Sequence, residues 1–463
     1  MEQRVEFNKE LIQRYDVAGP RYTSYPTAVQ FMEGFDAEAY RRHVAASNSE
    51  LIPKPLSLYV HLPFCKSLCY YCGCMKKVTR HTHQADHYLG LLDREIELQG
   101  ALFDHDREVI QLHFGGGTPT FHDDAQLKAL MEQLGRHFAL SRDDDREFSI
   151  EVDPRTVGAE RLEHLAAIGF NRISLGIQDI DRDVQKAVNR VQDTQATLDM
   201  IEASRRLGFN SVSVDLIYGL PLQTEQSFTE TIDTVVGARP DRLAVYNYAH
   251  LPHIFRAQRM IDANDIPAPE TKLALMKLTI EKLVEAGYVY IGMDHFALPD
   301  DELTIAQREG ELQRNFQGYS TRRGCDLVGL GVSSIGKVGD CYAQNIKDIQ
   351  TWQNAVAEGE LPIWRGVSLN TEDRLRRRVI ESIMCHGEID FDRFEAMFAI
   401  DFHEHFAREL IELEQMEADG LLAMSGDSFS VTPPGRLLLR NIAMVFDEYL
   451  QQPAETPRFS RVI

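Results

Sequence analysis

The chain has 463 residues, 43% of them hydrophobic and 26% charged, with a formal net charge of −22 and only seven cysteines. That length supports two or three domains around a large core, and the acidity disfavours general binding to nucleic acid or anionic lipid. No apolar run approaches the ~20 residues of a membrane span, and the charged start MEQRVEFNKELIQRYD is not a secretory signal, so the protein is expected in the cytoplasm, where clustered cysteines point to metal or redox chemistry.

In chain order, residues 1–50 read as an N-terminal arm covering the active site. It carries GPRYTSYP (19–26), in which Pro20 and Pro26 stiffen the backbone. Arg21 offers a planar cation there, and Tyr22 and Tyr25 offer flat apolar faces. Strands are predicted at 57–62, 109–114, 147–152, 172–177, 211–219 and 242–248, with 288–293 as a further candidate. Their apolar runs are nearly continuous, as strands buried on both faces should be. Amphipathic helices lie between them. One places Phe228, Ile232, Val235 and Val236 on one face after the capping candidate Thr224. Another follows Pro269, lines up Leu273, Met276, Ile280, Leu283 and Val284, and stops at Gly287.

Repeated strand–helix units predict an α/β fold, and six or seven units predict a partial (β/α)6 barrel over residues 51–365. From 366 to 463 the pattern changes. Helices are predicted near 371–386, 390–398 and 401–416, then short strands at LLAM and SFSVT around the turn SGDS. A last helix begins near PPGRLLLR. Helices followed by a hairpin suggest a winged-helix-like module with a structural or substrate-covering role. Cys325, Cys341 and Cys385 are scattered singly and read as small buried apolar residues.

In parallel sheets chemistry collects at the C-terminal strand ends, and the unusual residues fall there. CKSLCYYCGC (65–74) follows the first strand, GGGTPT (115–120) the second, and EVDP (151–154) closes the third. Gln178 ends the fourth strand, Asp215 lies in the fifth, and NYAHLP (247–252) follows the sixth. Cys65, Cys69 and Cys72 form C-x3-C-x2-C, with Cys74 two residues on. A zinc site usually uses two separated pairs of ligands. Three thiolates on one short loop suit three corners of a [4Fe–4S] cluster and leave the fourth iron open. Both readings stand on spacing alone. The glycine run lacks the Gly-Lys-Ser/Thr of a P-loop, but backbone without side chains admits a ligand closely. Tyr59 and His61 alternate along the first strand and share a face. On spacing alone His61 reads as a core histidine before a catalytic group, and Arg190 equally as a solvated surface arginine.

The run YVHLPFCKSLCYYCGC resembles the radical S-adenosylmethionine (SAM) superfamily. More narrowly, GPRYTSYP, CGC (72–74), HFGGGTPT (113–120), IEVDPR (150–155), VDLIYGLP (214–221), GMDHFA (292–297), RNFQGY (314–319) and FSRVI (459–463) resemble the oxygen-independent coproporphyrinogen III oxidases. The resemblance implies oxidative decarboxylation of two propionates of coproporphyrinogen III to vinyl groups by a SAM-derived 5′-deoxyadenosyl radical. It implies Cys65, Cys69 and Cys72 as cluster ligands, with Cys74, Tyr59 and Glu151 as catalytic positions. It implies two SAM molecules: Tyr59, Gly116, Glu151 and Ile335 match positions at the first, and Tyr71, Gly117, Thr118, Gln178, Arg190, Asp215 and Ala249 match positions at the second. Arg21 and Gln317, inside family motifs, are the leading substrate partners, with Arg314, Arg322 and Arg323 as further candidates. A monomer and an electron donor such as flavodoxin or ferredoxin are also implied. Rivals are a related haem chaperone, which generally lacks the fourth cysteine and PRYTSYP, a radical SAM methyltransferase, and a zinc-containing nucleic-acid module.

Overall fold

The computed structural model describes residues 5–322 and 324–451. Arg323 and the FSRVI motif lie outside the described residues. The chain divides into two compact units. One comprises residues 31–278 and 324–368; the other takes 1–30, 279–323 and 369–463.

The first unit is built on six parallel strands: β1 (Leu56–Leu62), β2 (Glu108–Gly116), β3 (Glu147–Val152), β4 (Arg172–Gln178), β5 (Ser211–Tyr218) and β6 (Arg242–Asn247). They lie side by side in sequence order, each joined to the next through a helix-bearing crossover. These are the six strands expected, and they make the partial barrel of the predicted fold class. On its other edge β1 pairs in parallel with β7 (Asp326–Leu330). The sheet continues antiparallel through β8 (Ile335–Val338), β9 (Cys341–Asn345) and β10 (Ile363–Ser368). This antiparallel extension was not among the predicted elements.

Burial follows the sequence pattern. Leu56, Leu58, Val60 and Leu62 of β1 are all buried, and only Tyr59 is partly open. The helix Glu225–Gly237 buries Phe228, Ile232 and Val235 and opens with a capping box at Thr224, as expected. The helix Ala37–Asn48, assigned by sequence to the arm, belongs to this unit. Its Tyr40 donates to Gln99 Oε1 (3.1 Å), and its Ser47 donates to Asp326. Asp326 also pairs with Arg107 at 2.6 Å, both side chains 1% exposed. A buried pair survives in this form when its remaining lone pairs are satisfied, as the Ser47 hydroxyl and the Gly339 amide do here.

The second unit centres on the helix Thr371–Cys385, whose Leu375, Val379, Ile380 and Ile383 are buried. The expected helix over 401–416 is broken at Phe406 into Phe402–His405 and Ala407–Ala418. Phe402 and Phe406 are both fully buried. The two predicted short strands, Leu422–Met424 and Ser428–Val431, pair, and a third, Glu388–Asp390, completes an antiparallel sheet. The last helix is shorter than expected, Leu439–Val445 after one 3₁₀ turn. The run at 288–293 forms a strand, Val289–Gly292, but it makes an antiparallel hairpin with His295–Ala297 rather than a seventh parallel strand. Tyr22 and Tyr25 do not present free faces. Both are core residues of this unit; Tyr22 donates to Asp447 Oδ2 (2.9 Å), and the Tyr25 hydroxyl accepts from the Glu448 amide (3.2 Å). Among the described residues no helix is long and apolar enough to cross a membrane.

Candidate functional site

The cysteine loop leaves the end of β1. Lys77 donates its amide to Pro63 O (2.7 Å) and Thr79 to Cys65 O (3.0 Å), which fold the loop back on its own start. The glycines of β2 hold it from the other side. Gly117 donates to Leu62 O (2.9 Å) and Thr118 to Phe64 O (2.9 Å). A Cβ at Gly117 would lie 2.6 Å from the Pro63 carbonyl carbon, and one at Gly116, where φ is +110°, would lie 2.6 Å from the His61 ring. The glycine run is therefore required by the close passage of β2 against the loop it anchors.

Cys65 and Cys69 are buried, Cys72 is half-buried, and Cys74 is exposed. Thr118 Oγ1 donates to Cys65 Sγ (3.5 Å). Burial pushes the Cys65 thiol up to about 11. Cys69 has a different environment. Arg155 Nη2 (3.3 Å) and Arg190 Nη1 (3.4 Å) both donate to its sulfur, and Asp153 bridges the two guanidiniums at 2.6 and 3.4 Å. The hydrogen bond from Cys74 is the largest influence on Cys72; with Lys76 nearby it draws that thiol down to about 6. Lys76 Nζ also donates to the Cys72 carbonyl (3.0 Å).

Beside the loop, a polar relay crosses β1, β2 and β3. His61 Nε2 donates to Met75 O (3.2 Å), so its Nδ1 accepts the Tyr59 hydroxyl (3.2 Å). Tyr59 stacks on His113 with centroids 5.8 Å apart. His113 Nε2 donates to Glu151 Oε1 (3.2 Å), and its Nδ1 accepts from Ser149 (2.6 Å). The Gly116 amide donates to Glu151 Oε2 (3.2 Å). Burial opposes the charge on Glu151, but His113 and that amide together hold its pKa below the ordinary carboxylate value. The Glu151 side chain is still 43% exposed, so it lines open space with acceptor capacity left over. Ile335 begins β8, and its backbone packs over Gly329, the register partner of Tyr59.

Of the remaining predicted residues, Gln178 and Asp215 lie on β4 and β5, Arg190 and Ala249 in the loops after β4 and β6, and Tyr71 in the cysteine loop. Gln178 has a φ of +68° at a register shift between β4 and β5. A non-glycine residue held in this conformation is strained, as residues at ligand sites often are. Asp215 accepts from Ser174 (3.4 Å); burial first, then the charge of Glu151, raises its pKa to about 7. Gln258 Nε2 spans Tyr71 O (3.0 Å) and Ala249 O (3.1 Å), which ties those two positions together. Arg190 is 7% exposed and donates to Gly176 O (2.6 Å), which removes the solvated reading of this residue. Sequence reasoning missed His113, Asp153, Arg155 and Gln258. The first three sit inside the quoted motifs HFGGGTPT and IEVDPR, which was the available signal.

Of the substrate candidates, Arg21 is paired with Asp294. Gln317 lies in the turn between strands Gln313–Asn315 and Gly318–Ser320. Arg314 stands in that hairpin, and Arg322 donates its amide to Ser320 (3.2 Å).

The residues present fit an iron–sulfur cluster and SAM. Three thiols share one loop, with two guanidiniums against one of them, and Glu151 has free acceptor capacity. Arg190 Nε and Asn247 Oδ1 are buried at the strand ends without a protein partner, as atoms awaiting a polar ligand would be.

Comparison with known proteins agrees with this layout. The radical SAM superfamily model matches residues 59–235 and the HemN C-terminal domain model residues 369–438. The oxygen-independent coproporphyrinogen III oxidase of Pseudomonas aeruginosa is 50% identical over 459 residues, 99% of each chain. That of Escherichia coli is 49% identical over 461 residues, covering 100% of this chain and 99% of its own. The solved coproporphyrinogen III oxidase (HemN) from Escherichia coli, described as a radical SAM enzyme, superposes with a TM-score of 0.91 at 47% identity, covering 96% of this chain and 100% of its own. Sequence, strand order and strand-end chemistry thus converge, and the chain belongs to the oxygen-independent coproporphyrinogen III oxidases of the radical SAM superfamily.

Proposed function

We propose that the chain divides its work among three groups of residues: a cluster loop, two SAM positions and a substrate-binding set. The enzyme is an oxidoreductase of haem biosynthesis that converts two propionates of coproporphyrinogen III to vinyl groups, giving protoporphyrinogen IX without molecular oxygen. It uses a [4Fe–4S] cluster and SAM, which when bound supply the 5′-deoxyadenosyl radical that takes a hydrogen from a propionate β-carbon before carbon dioxide and one electron leave.

Within this reading Cys65, Cys69 and Cys72 hold the cluster. Arg155 and Arg190 both donate hydrogen bonds to the Cys69 sulfur. Cys74, exposed and hydrogen-bonded to Cys72, is left free for a catalytic role. Tyr59, Gly116, Glu151 and Ile335 form the first SAM position, on β1–β3 and β8. Glu151, charged and fixed by His113, accepts hydrogen bonds from an ammonium or hydroxyl group, and Tyr59 is oriented by its bond to His61. Tyr71, Gly117, Thr118, Gln178, Arg190, Asp215 and Ala249 form the second, drawn from the cysteine loop, the glycine run, strands β4 and β5 and the loops after β4 and β6, where Arg190 offers a cation to a carboxylate. Two carboxylates on separate strands, each with its own polar neighbours, support two SAM molecules rather than one. Arg21 and Gln317 serve the substrate, with the N-terminal arm (1–50), barrel (51–365) and C-terminal domain (366–463) as functional segments.

The electron donor is an acidic one-electron carrier such as flavodoxin or ferredoxin. Residues 65–85 carry Lys66, Lys76, Lys77 and Arg80 and no Asp or Glu, in a chain of net charge −22; Lys66 and Arg80 are exposed. A local cationic surface steers an anionic partner. The protein works as a cytoplasmic monomer, where its cysteines stay out of disulfides.

The observation that carries this function is the cysteine loop joined through Gly116 and Gly117 to the Tyr59–His61 and His113–Glu151 relay. An anaerobic assay with coproporphyrinogen III, SAM and a reductant tests it: carbon dioxide and the divinyl product are expected. Methylated tetrapyrrole, or tight haem binding with no turnover, would overturn it.

A further inference from the structure

The second unit contains a set of cations that the cluster and SAM chemistry does not use. Arg314 lies in the hairpin Gln313–Asn315 and Gly318–Ser320, directly opposite Tyr319. Its guanidinium sits over the Tyr319 ring, 4.7 Å from the centroid. The Tyr319 hydroxyl is fixed by donation to Met384 O (3.0 Å). Arg314 Nε donates to the Arg21 carbonyl (3.3 Å), while its Nη1 is buried and meets no protein acceptor. In the turn of the same hairpin Gln317 donates its amide to Asn315 Oδ1 (2.8 Å), and its side-chain Nε2 is likewise buried without an acceptor.

The neighbours make this more than a packing accident. Arg440 is 4% exposed and donates to the carbonyls of Pro20 (2.9 Å) and Gly19. Burial and the charges of Arg21 and Arg314 disfavour its cation, while Asp294 and Tyr22 favour it. Asp294 is itself paired with Arg21. Gathering guanidiniums out of water costs free energy unless an anion joins them. The peptide carbonyls of Gly19, Pro20 and Arg21 orient the forks of Arg440 and Arg314.

We propose that Arg314, with Arg21 and Arg440 behind it and Gln317 beside it in the hairpin, forms a binding site for one carboxylate of the substrate. This rests on the reading of coproporphyrinogen III as substrate, a tetracarboxylate that an acidic protein can hold only through local cations. Arg314 meets the chemistry of the ligand. Its stacking on Tyr319 and its bond to Arg21 O fix the plane of the fork, and its open Nη1 and the Gln317 amide are donors suited to two carboxylate oxygens. The site acts in binding and positioning, and takes no part in hydrogen removal.

The test uses the anaerobic holoenzyme and five tetrapyrroles: coproporphyrinogen III and four analogues, each with a different propionate replaced by ethyl. For Arg314→Gln the dissociation constant of coproporphyrinogen III should rise about 10–100-fold, the range expected for a charge-assisted hydrogen bond. Iron content, SAM affinity and melting temperature should stay as in the wild type. One ethyl analogue should bind wild type as weakly as coproporphyrinogen III binds the variant, and should not weaken further on the variant. Gln317→Glu, which keeps every arginine but adds a competing carboxylate, should weaken the same four carboxyl-bearing ligands and spare that analogue. Equal losses for all five ligands, unchanged affinity in both variants, or loss of iron with the affinity would overturn the site. Failure of the wild type to bind any of the five would instead remove the substrate reading on which it rests.

Discussion

At the strand ends beside the cysteine loop the carboxylates have counterparts: half-open Glu151 has His113 and an amide, and buried Asp153 has Arg155 and Arg190. Around Arg314 the balance is different, since guanidiniums face guanidiniums and two buried donors find no acceptor. The difference teaches how each region is built to be used. The cluster loop and the groups beside it are prearranged, with carboxylates held charged and arginines fixed before a ligand binds. A site for a tetracarboxylate that arrives and leaves must keep cations that only the ligand completes. The first region therefore fails by losing a cofactor, and the second by losing substrate affinity.

The largest effect should come from breaking the prearranged side at its thiolates. Wild-type protein purified anaerobically should carry about four irons and four sulfides per chain, and Cys69→Ser should lose both, together with all decarboxylation. Stoichiometric zinc without sulfide would break the comparison at its root. Cys74→Ser should keep the iron yet lose decarboxylation, because Cys74 is exposed and outside the proposed ligand set. Loss of iron equal to that of Cys72→Ser would make Cys74 a ligand. Asp215→Ala should keep the cluster and lower turnover about 10–100-fold, the scale of a charged hydrogen bond removed. SAM binding measured by equilibrium dialysis should fall from two molecules per chain to one. Two molecules still bound with normal turnover would remove Asp215 from the site.

Much of the prearranged side was legible in the sequence, because its signals are local. Apolar runs of five to eight residues announce strands buried on both faces, and glycine runs mark close passages. The strand ends then follow from the strands. Arg190 was not legible, since nothing around VNRVQD distinguishes a buried fork on Gly176 from a solvated one. The antiparallel extension β8–β10 escaped for a similar reason: Ile335–Val338 is short, and its pairing with β9 gives no period-two pattern long enough to stand out. The break at Phe406 was hidden because Phe402 and Phe406 keep helical spacing while the chain turns between them. The Arg314 region was legible only as scattered arginines. Its parts come from residues 19–21, 294, 314–319 and 440, and long-range packing alone shows that Tyr22 and Tyr25 are core while Arg314 Nη1 is left open.

A smaller effect concerns the cluster loop as a docking surface. If Lys66, Lys76, Lys77 and Arg80 steer an acidic electron carrier, turnover driven by flavodoxin or ferredoxin should fall several-fold as salt rises from about 50 to 300 mM, because the Debye length shortens from ~14 to ~6 Å. Turnover driven by a small chemical reductant should change far less. Lys66→Glu should weaken the carrier-driven rate at low salt and flatten its salt dependence. Equal salt curves for the two reductants would locate docking elsewhere.

Asp215 is the exception that sharpens the contrast, a strand-end carboxylate whose burial is not offset by its single bond to Ser174. Its pKa lies near 7 against an ordinary 3.8, with burial as the main cause and Glu151 next. Between those two values the folded protein holds a proton that the unfolded chain has released. Stability contributed by this group is therefore present below about pH 4, declines as pH rises toward 7, and is constant beyond it. Asp215→Asn removes the titration. Melting temperatures of the cluster-bound protein, measured from pH 4 to pH 8 without SAM, should show the variant gaining on the wild type up to about pH 7 and then running parallel. Saturating SAM should narrow that gap, since a donor to the Asp215 carboxylate lowers its pKa. A difference between the two proteins that does not vary with pH would mean that Asp215 is already balanced, and that the prearranged side has no unfinished charge.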